Sequence, residues 1–259
     1  SVQLFGSATY YSSKAMSSPG TEFWGTQSDP FMVTSTGAKS IGYYDPQFRA
    51  ITWLQRVFNP FEIGGATAAG THYDESTYEV SGGVLGTIAD RFDYDFSLAY
   101  SEYNYVSTRP KLYAKAVHDY FLGPQQGWHT HTNGRRYPIH TLNLDRYLTP
   151  WTAEIRDSMT AQIRGESETS SATANFTISG DLFELPAGSV GFAGVLEWNR
   201  QTVDMVNDPR LAPGRPLDDQ TIFGLTSSGE THGERDRSAI GVELRVPILD
   251  SLSAQIAAR

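Results

Sequence analysis

From Ala172 to Val203 the chain alternates in character with a period of two on either side of a single reversal: ATANFTISGDLF, ELPAGS, then VGFAGVLEWNRQTV. On the first arm Phe176, Ile178, Gly180 and Leu182 share a face, and Asn175, Thr177, Ser179 and Asp181 share the other. On the second, Val190, Phe192, Gly194, Leu196 and Trp198 lie opposite Ala193, Val195, Glu197, Asn199 and Gln201. Successive strand residues point to opposite sides, so the pattern predicts a hairpin with one apolar and one mostly polar surface. Pro186 and Gly188 stand where a reversal needs one fixed and one permissive φ. Alternation alone leaves two folds open, since a soluble sandwich and an outer-membrane barrel both show it.

The connections discriminate between them. Strand patterns are predicted over the first dozen residues, over Tyr78 to Ile88, Phe92 to Val106, both arms of the central hairpin, a sixth segment ending at Val246, and a seventh from Leu252. The turns after the second, fourth and sixth are short, at Ala89 to Arg91, at Pro186 and Gly188, and at Pro247 to Ser251. Those after the first, third and fifth are long: Ser12 to Glu75, Ser107 to Ser170 and Asp204 to Glu234. Compact domains join their elements with roughly 4–6 residues. Long connections alternating strictly with tight turns place all long loops on one rim, the asymmetry of an outer-membrane barrel. Within the loops, helices are expected at Pro46 to Phe58, from the Ile51, Leu54, Phe58 spacing, at Lys111 to Leu122, and after Thr149-Pro150. The clearest apolar run, Phe92 to Tyr100, spans roughly 15–20 Å once tilted, a little short of the ~25 Å apolar band of such barrels.

A net charge of -9 argues against a nucleic-acid partner, which would call for a basic stripe. The chain has no cysteine, so no disulfide framework or thiolate metal site is open to it. No apolar run reaches the roughly 18 residues of a membrane helix, which leaves a barrel possible. Ser1 and the interrupted pattern of Leu252 to Arg259 lead us to expect an internal piece of a longer protein.

Several stretches carry a family resemblance: TWLQRVFNPFEIGG, VSGGVLGTIADRFDYDFSLAYSEYNY, YFLGPQQG, GDLFELPAGSVGFAGVLEW and RDRSAIGVELRVPILDSLS. In order and spacing they resemble the barrel portion of bacterial TonB-dependent outer-membrane receptors, from near Trp53 almost to the C-terminus. The resemblance implies an antiparallel up-and-down transmembrane β-barrel, here partial with about seven strands, whose long extracellular loops carry short helices. It implies that residues 1–259 are a barrel fragment without the plug domain. It further implies uptake of a scarce nutrient such as a siderophore or oligosaccharide, and seating in outer-membrane lipid of a Gram-negative bacterium. Energy would come from the TonB-ExbB-ExbD complex through the plug. Such a protein transports without covalent chemistry, so neither enzyme activity nor a cofactor is expected.

No HExxH, GxxxxGK, GxGxxG or GxSxG motif is present. In the loops, Trp128, His129 and His131, with Tyr43 and Tyr44, are the candidate ligand-binding residues, and Trp24 and Phe31 are further aromatics able to stack on a ligand. His129 and His131, given a third ligand such as His118 or His140, could hold a metal or a metal chelate. The commoner reading is ordinary solvated loop histidines, and no resident metal is expected. Asp93 and Asp95 share a strand face, and paired carboxylates about 5–5.5 Å apart suit glycoside hydrolysis. Polar residues lining a barrel explain them too, as they do Glu197, Glu243 and Arg245. The rival reading is therefore a secreted β-sandwich carbohydrate-binding module or glycoside hydrolase, which would seal Phe192, Leu196 and Trp198 inside a core.

Overall fold

A computed structural model describes residues 1–18, 22–225 and 228–259; residues 19–21 and 226–227, within the first and third long connections, lie outside it. The protein is mostly β. Seven strands form one antiparallel sheet in sequential order: β1 (Val2–Ser17), β2 (Thr71–Ile88), β3 (Phe92–Leu112), β4 (Thr160–Leu185), β5 (Gly188–Asn207), β6 (Thr231–Leu249) and β7 (Leu252–Ala258). The sheet is open, with β1 and β7 at its two edges. Because each strand pairs with the next, the tight turns fall on one rim and the three long connections on the other.

The tight turns follow from their residues. At Ala89 (φ 54) and Asp90 (φ 50) two left-handed residues reverse the chain, the primed geometry that matches strand twist, and Arg91 N–H donates to Ile88 O at 3.1 Å. In the central hairpin Pro186 and Ala187 form the turn and Gly188 takes φ 123, a conformation that L side chains rarely adopt. A register shift between Asp181 and Glu184 precedes it.

Cross-strand register sorts the two faces. One row on the apolar face runs Leu4, Val84, Phe96, Phe176, Leu196, Ile240 across six strands. Flanking rows contain Val2, Tyr94, Ile178 and Val242 on one side and Leu98 and Trp198 on the other. Nothing in the described residues packs over this belt: Leu4 is 83% exposed, Ile240 64% and Leu196 49%. The opposite face carries small and polar side chains, as in the row Ser7, Ser81, Ala99, Thr173, Asn199, Arg237. There Asn199 Nδ2 donates to Thr173 Oγ1 (3.0 Å) and Ser171 Oγ (3.1 Å).

Toward the long loops the apolar face changes. Tyr10, Tyr78 and Tyr100 border the belt, and the row beyond reads Ser12, Ser76, Asn104, Glu168, Asp204, His232. The strands are therefore longer than the sequence pattern predicts. β4 begins at Thr160 rather than near Ala172, because SETSSATA is polar on both faces and carries no alternation to read.

The expected helix at Pro46 to Phe58 is absent. Its residues instead form strands Ala50–Thr52 and Gln55–Val57, paired with Tyr43–Asp45 and Phe23–Gly25 respectively. Asp45 Oδ1 accepts from Gln47 N (2.8 Å) to start the intervening turn, and Arg49 turns left-handed (φ 53), which a helix does not tolerate. Among the described residues four short α-helices stand in the loops: α1 (Gly65–Ala69), α2 (Ala114–Leu122), α3 (Leu144–Leu148) and α4 (Ala153–Met159). The predicted Thr149 cap closes α3 instead, and α4 is opened by Thr152, whose hydroxyl accepts from Ile155 N at 3.3 Å.

Candidate functional site in the long loops

The main hydrophobic core lies in the loops, not under the sheet. Trp24, Met32, Tyr43 and Phe58 of the first loop meet Val117, Phe121, Leu122, Leu142 and Trp151 of the second and Phe223 of the third. The amphipathic α2 supplies the centre, with Val117, His118, Phe121 and Leu122 on its buried stripe.

A buried cation fastens the first loop to the second. Arg56 pairs with Glu62 at 2.6 Å, donates to the Tyr147 and Thr149 carbonyls (2.7 and 3.0 Å), and lies over Phe58 at 4.7 Å. Glu62 also accepts from Asn59 N and Trp151 N (2.8 and 3.0 Å). Burial pushes its carboxyl up, but these hydrogen bonds and Arg56 outweigh that and hold it below the usual range. In the third loop, Arg210 bonds hold the Asp208 carboxyl down at about 2 against the opposing effect of burial.

Two histidines belong to this core. His118 Nδ1 lies 2.8 Å from Asp29 Oδ2, and its ring meets His140 edge-on at 5.0 Å. Burial, then the neighbouring His118, lowers the His140 pKa to about 4, so at neutral pH it is an uncharged packing residue.

The other loop residues singled out in the sequence divide between core and surface. Trp24 is buried against Phe121 (centroids 4.9 Å), and Phe31 packs beside His118. Tyr43 is fully buried, its hydroxyl 3.3 Å from Asp45 Oδ2. Its neighbour Tyr44 faces outward and stacks on His129 at 3.8 Å with planes 9° apart. His129 sits in a small hairpin, Trp128–Thr130 with Arg136–Pro138, turned at Asn133-Gly134 with Gly134 at φ 80. His131 meets the Tyr137 ring at 6.1 Å, and Trp128 on the other face lies under Arg136 at 5.7 Å. The structure thus brings Tyr44, His129 and His131 to one surface and sends Tyr43, His118 and His140 inside. Among the described residues no three His, Cys, Asp or Glu side chains converge as metal ligands.

Sequence reasoning missed Arg135, Arg136 and Tyr137, which complete this hairpin. The Asn-Gly turn between WHTH and RRY was the available signal. On the sheet, Asp93 accepts from Thr87 Oγ1 (2.7 Å) and Asp95 stands opposite Thr177, both on the polar face; Glu197 and Glu243 take hydrogen bonds from Arg259 and Gln255. No helix among the described residues is long and apolar enough to cross a membrane. No protein-family model matches the chain, and no curated protein matches it.

Proposed function

We propose that this chain is part of the barrel of an outer-membrane importer of the TonB-dependent kind, with its loop core outside the cell and its polar strand face lining the lumen. The observation that carries the reading is the uncovered apolar belt. From the row of Phe192 to that of Trp198 it measures roughly 20 Å along the strands, about 15 Å across a membrane once tilted near 40°, a little short of the ~25 Å band of outer-membrane barrels. Tyr10, Tyr78, Tyr100 and Trp198 border it on the loop side, where aromatic girdles sit. Beyond that border the same face turns polar, as strands projecting into water require. A soluble sandwich would need a second layer over Leu4, Leu196 and Ile240, which are exposed. On this reading the partners are lipid, a captured nutrient, and the TonB-ExbB-ExbD complex acting through a plug domain; transport involves no covalent change to the substrate.

The absence of cysteine makes a clean test available. Thr132→Cys, on the loop hairpin, should react with a membrane-impermeant maleimide on intact cells. Ala187→Cys, on the opposite rim, should react only after the outer membrane is permeabilised. Equal labelling of both sites in intact cells, or of neither, overturns the proposal.

A further inference from the structure

The protein is acidic overall, yet one of its loop surfaces is locally cationic. No carboxylate occurs between Asp29 and Asp45, or between Asp119 and Asp145. Those two segments meet where Arg135 Nη2 donates to the Lys39 carbonyl at 3.4 Å and Tyr44 stacks on His129. Elsewhere in and beside the loops, Arg56, Lys111, Lys115, Arg156, Arg210 and Arg215 each hold a carboxylate. Among the described residues Lys39 and Arg135 hold none, as is also true of Arg49, Arg136 and Arg146, but here the two cations meet at one surface. The cations here are joined to aromatic rings: Arg135 lies 5.1 Å over Tyr137, which pairs across the hairpin with His129, and His131 meets the same Tyr137 ring edge-on at 6.1 Å.

We propose that Lys39, Tyr44, His129, His131, Arg135 and Tyr137 form a binding surface for an anion built on an aromatic ring, such as an aromatic polycarboxylate or phenolate. Each half of that description answers a feature of the site. Uncompensated Lys and Arg side chains gain most from a carboxylate or phenolate oxygen, Arg through its planar fork. Stacked Tyr and His rings, and a guanidinium already over the Tyr137 ring, offer faces against which a flat ligand packs with little entropy loss. A neutral sugar would leave the cations unanswered. The surface is held in place from beneath: Tyr43 and His140, next in sequence to Tyr44 and to the Ile139 that bridges it, are buried and meet edge-on at 5.9 Å.

This inference rests on reading the loops as the ligand-capturing side of an importer, but the binding can be measured without any membrane. The test titrates the whole chain in detergent micelles with benzenetricarboxylate, and separately with cyclohexanetricarboxylate, by calorimetry. Saturable binding of the aromatic anion is expected, weakened about tenfold by Arg135→Ala and again by Lys39→Ala, and weakened by Tyr44→Leu, whereas Arg164→Ala on the strand leaves it unchanged. Equal affinity for the two anions, indifference to Arg135→Ala and Lys39→Ala, or no saturable binding of either would overturn it. If binding follows the expected pattern while the surface-labelling test fails, the importer reading falls and the anion site stands; the reverse outcome removes the site alone.

Discussion

Leu196→Arg is the perturbation that most sharply separates a lipid-facing belt from an ordinary exposed sheet. Leu196 stands within the belt, in the row between Phe176 and Ile240, and no protein layer covers it. Arginine on the lipid face of a barrel costs about 2–4 kcal/mol near the bilayer midplane, roughly a 30- to 1,000-fold shift of the folding equilibrium. The matched control is Thr177→Arg, on the opposite face beside Asp95. There the new cation meets water and a carboxylate, and a change within about 1 kcal/mol is expected. Both are measured by urea titration of the protein in phospholipid bilayers, followed by tryptophan fluorescence. If Leu196→Arg leaves the midpoint where it was, or Thr177→Arg costs as much, the assignment of the two faces is wrong.

Glu62→Gln should destabilise the loop core by about 3–5 kcal/mol, because it leaves the Arg56 guanidinium buried without its partner; hydrogen exchange of Tyr147 to Trp151 reads the loss, and adding Arg56→Met should recover part of it. The depressed pKa of Glu62 gives a stabilisation that is present above the unfolded value near 4.3 and lost as pH falls through the folded one. His140 acts in a neighbouring window. Its folded pKa of about 4 lies below the unfolded 6.5, so the unfolded chain binds more protons between these values and stability falls as pH drops from about 6.5 to 4. His140→Gln should flatten that part of a thermal-unfolding pH profile.

Sequence and structure agree where chemical contrast is strong. The alternation of Phe176 to Leu182 and Val190 to Trp198 gave the hairpin, its faces and its turn, and the same contrast located all seven strands. It failed where contrast vanishes, over Thr160 to Ser171 and the loop-side ends of β3 (Ser107 to Leu112) and β5 (Asp204 to Asn207), because hydrogen bonding to neighbouring strands extends them without a continuing apolar alternation. The Pro46 to Phe58 segment shows the complementary error. Ile51, Leu54 and Phe58 have helical spacing, but the left-handed turn at Arg49 and long-range pairing with Phe23–Gly25 and Tyr43–Asp45 decide its shape. For the candidate site, the Trp128 to His131 run was legible as composition. That Tyr44, and not Tyr43, would join it depends on which side of a three-residue strand faces the loop core. Nothing local encodes that choice.

Trp198 offers the most direct measurement of the central claim, since it is the tryptophan that register places on the apolar belt. With the other tryptophans replaced by phenylalanine, its fluorescence is recorded in bilayers whose acyl chains are brominated at successive depths. Strong quenching by bromines near the headgroup end of the chains, and weaker quenching toward the bilayer centre, is the outcome the lipid-facing belt requires. Emission that no brominated lipid quenches would mean that this face does not touch a membrane.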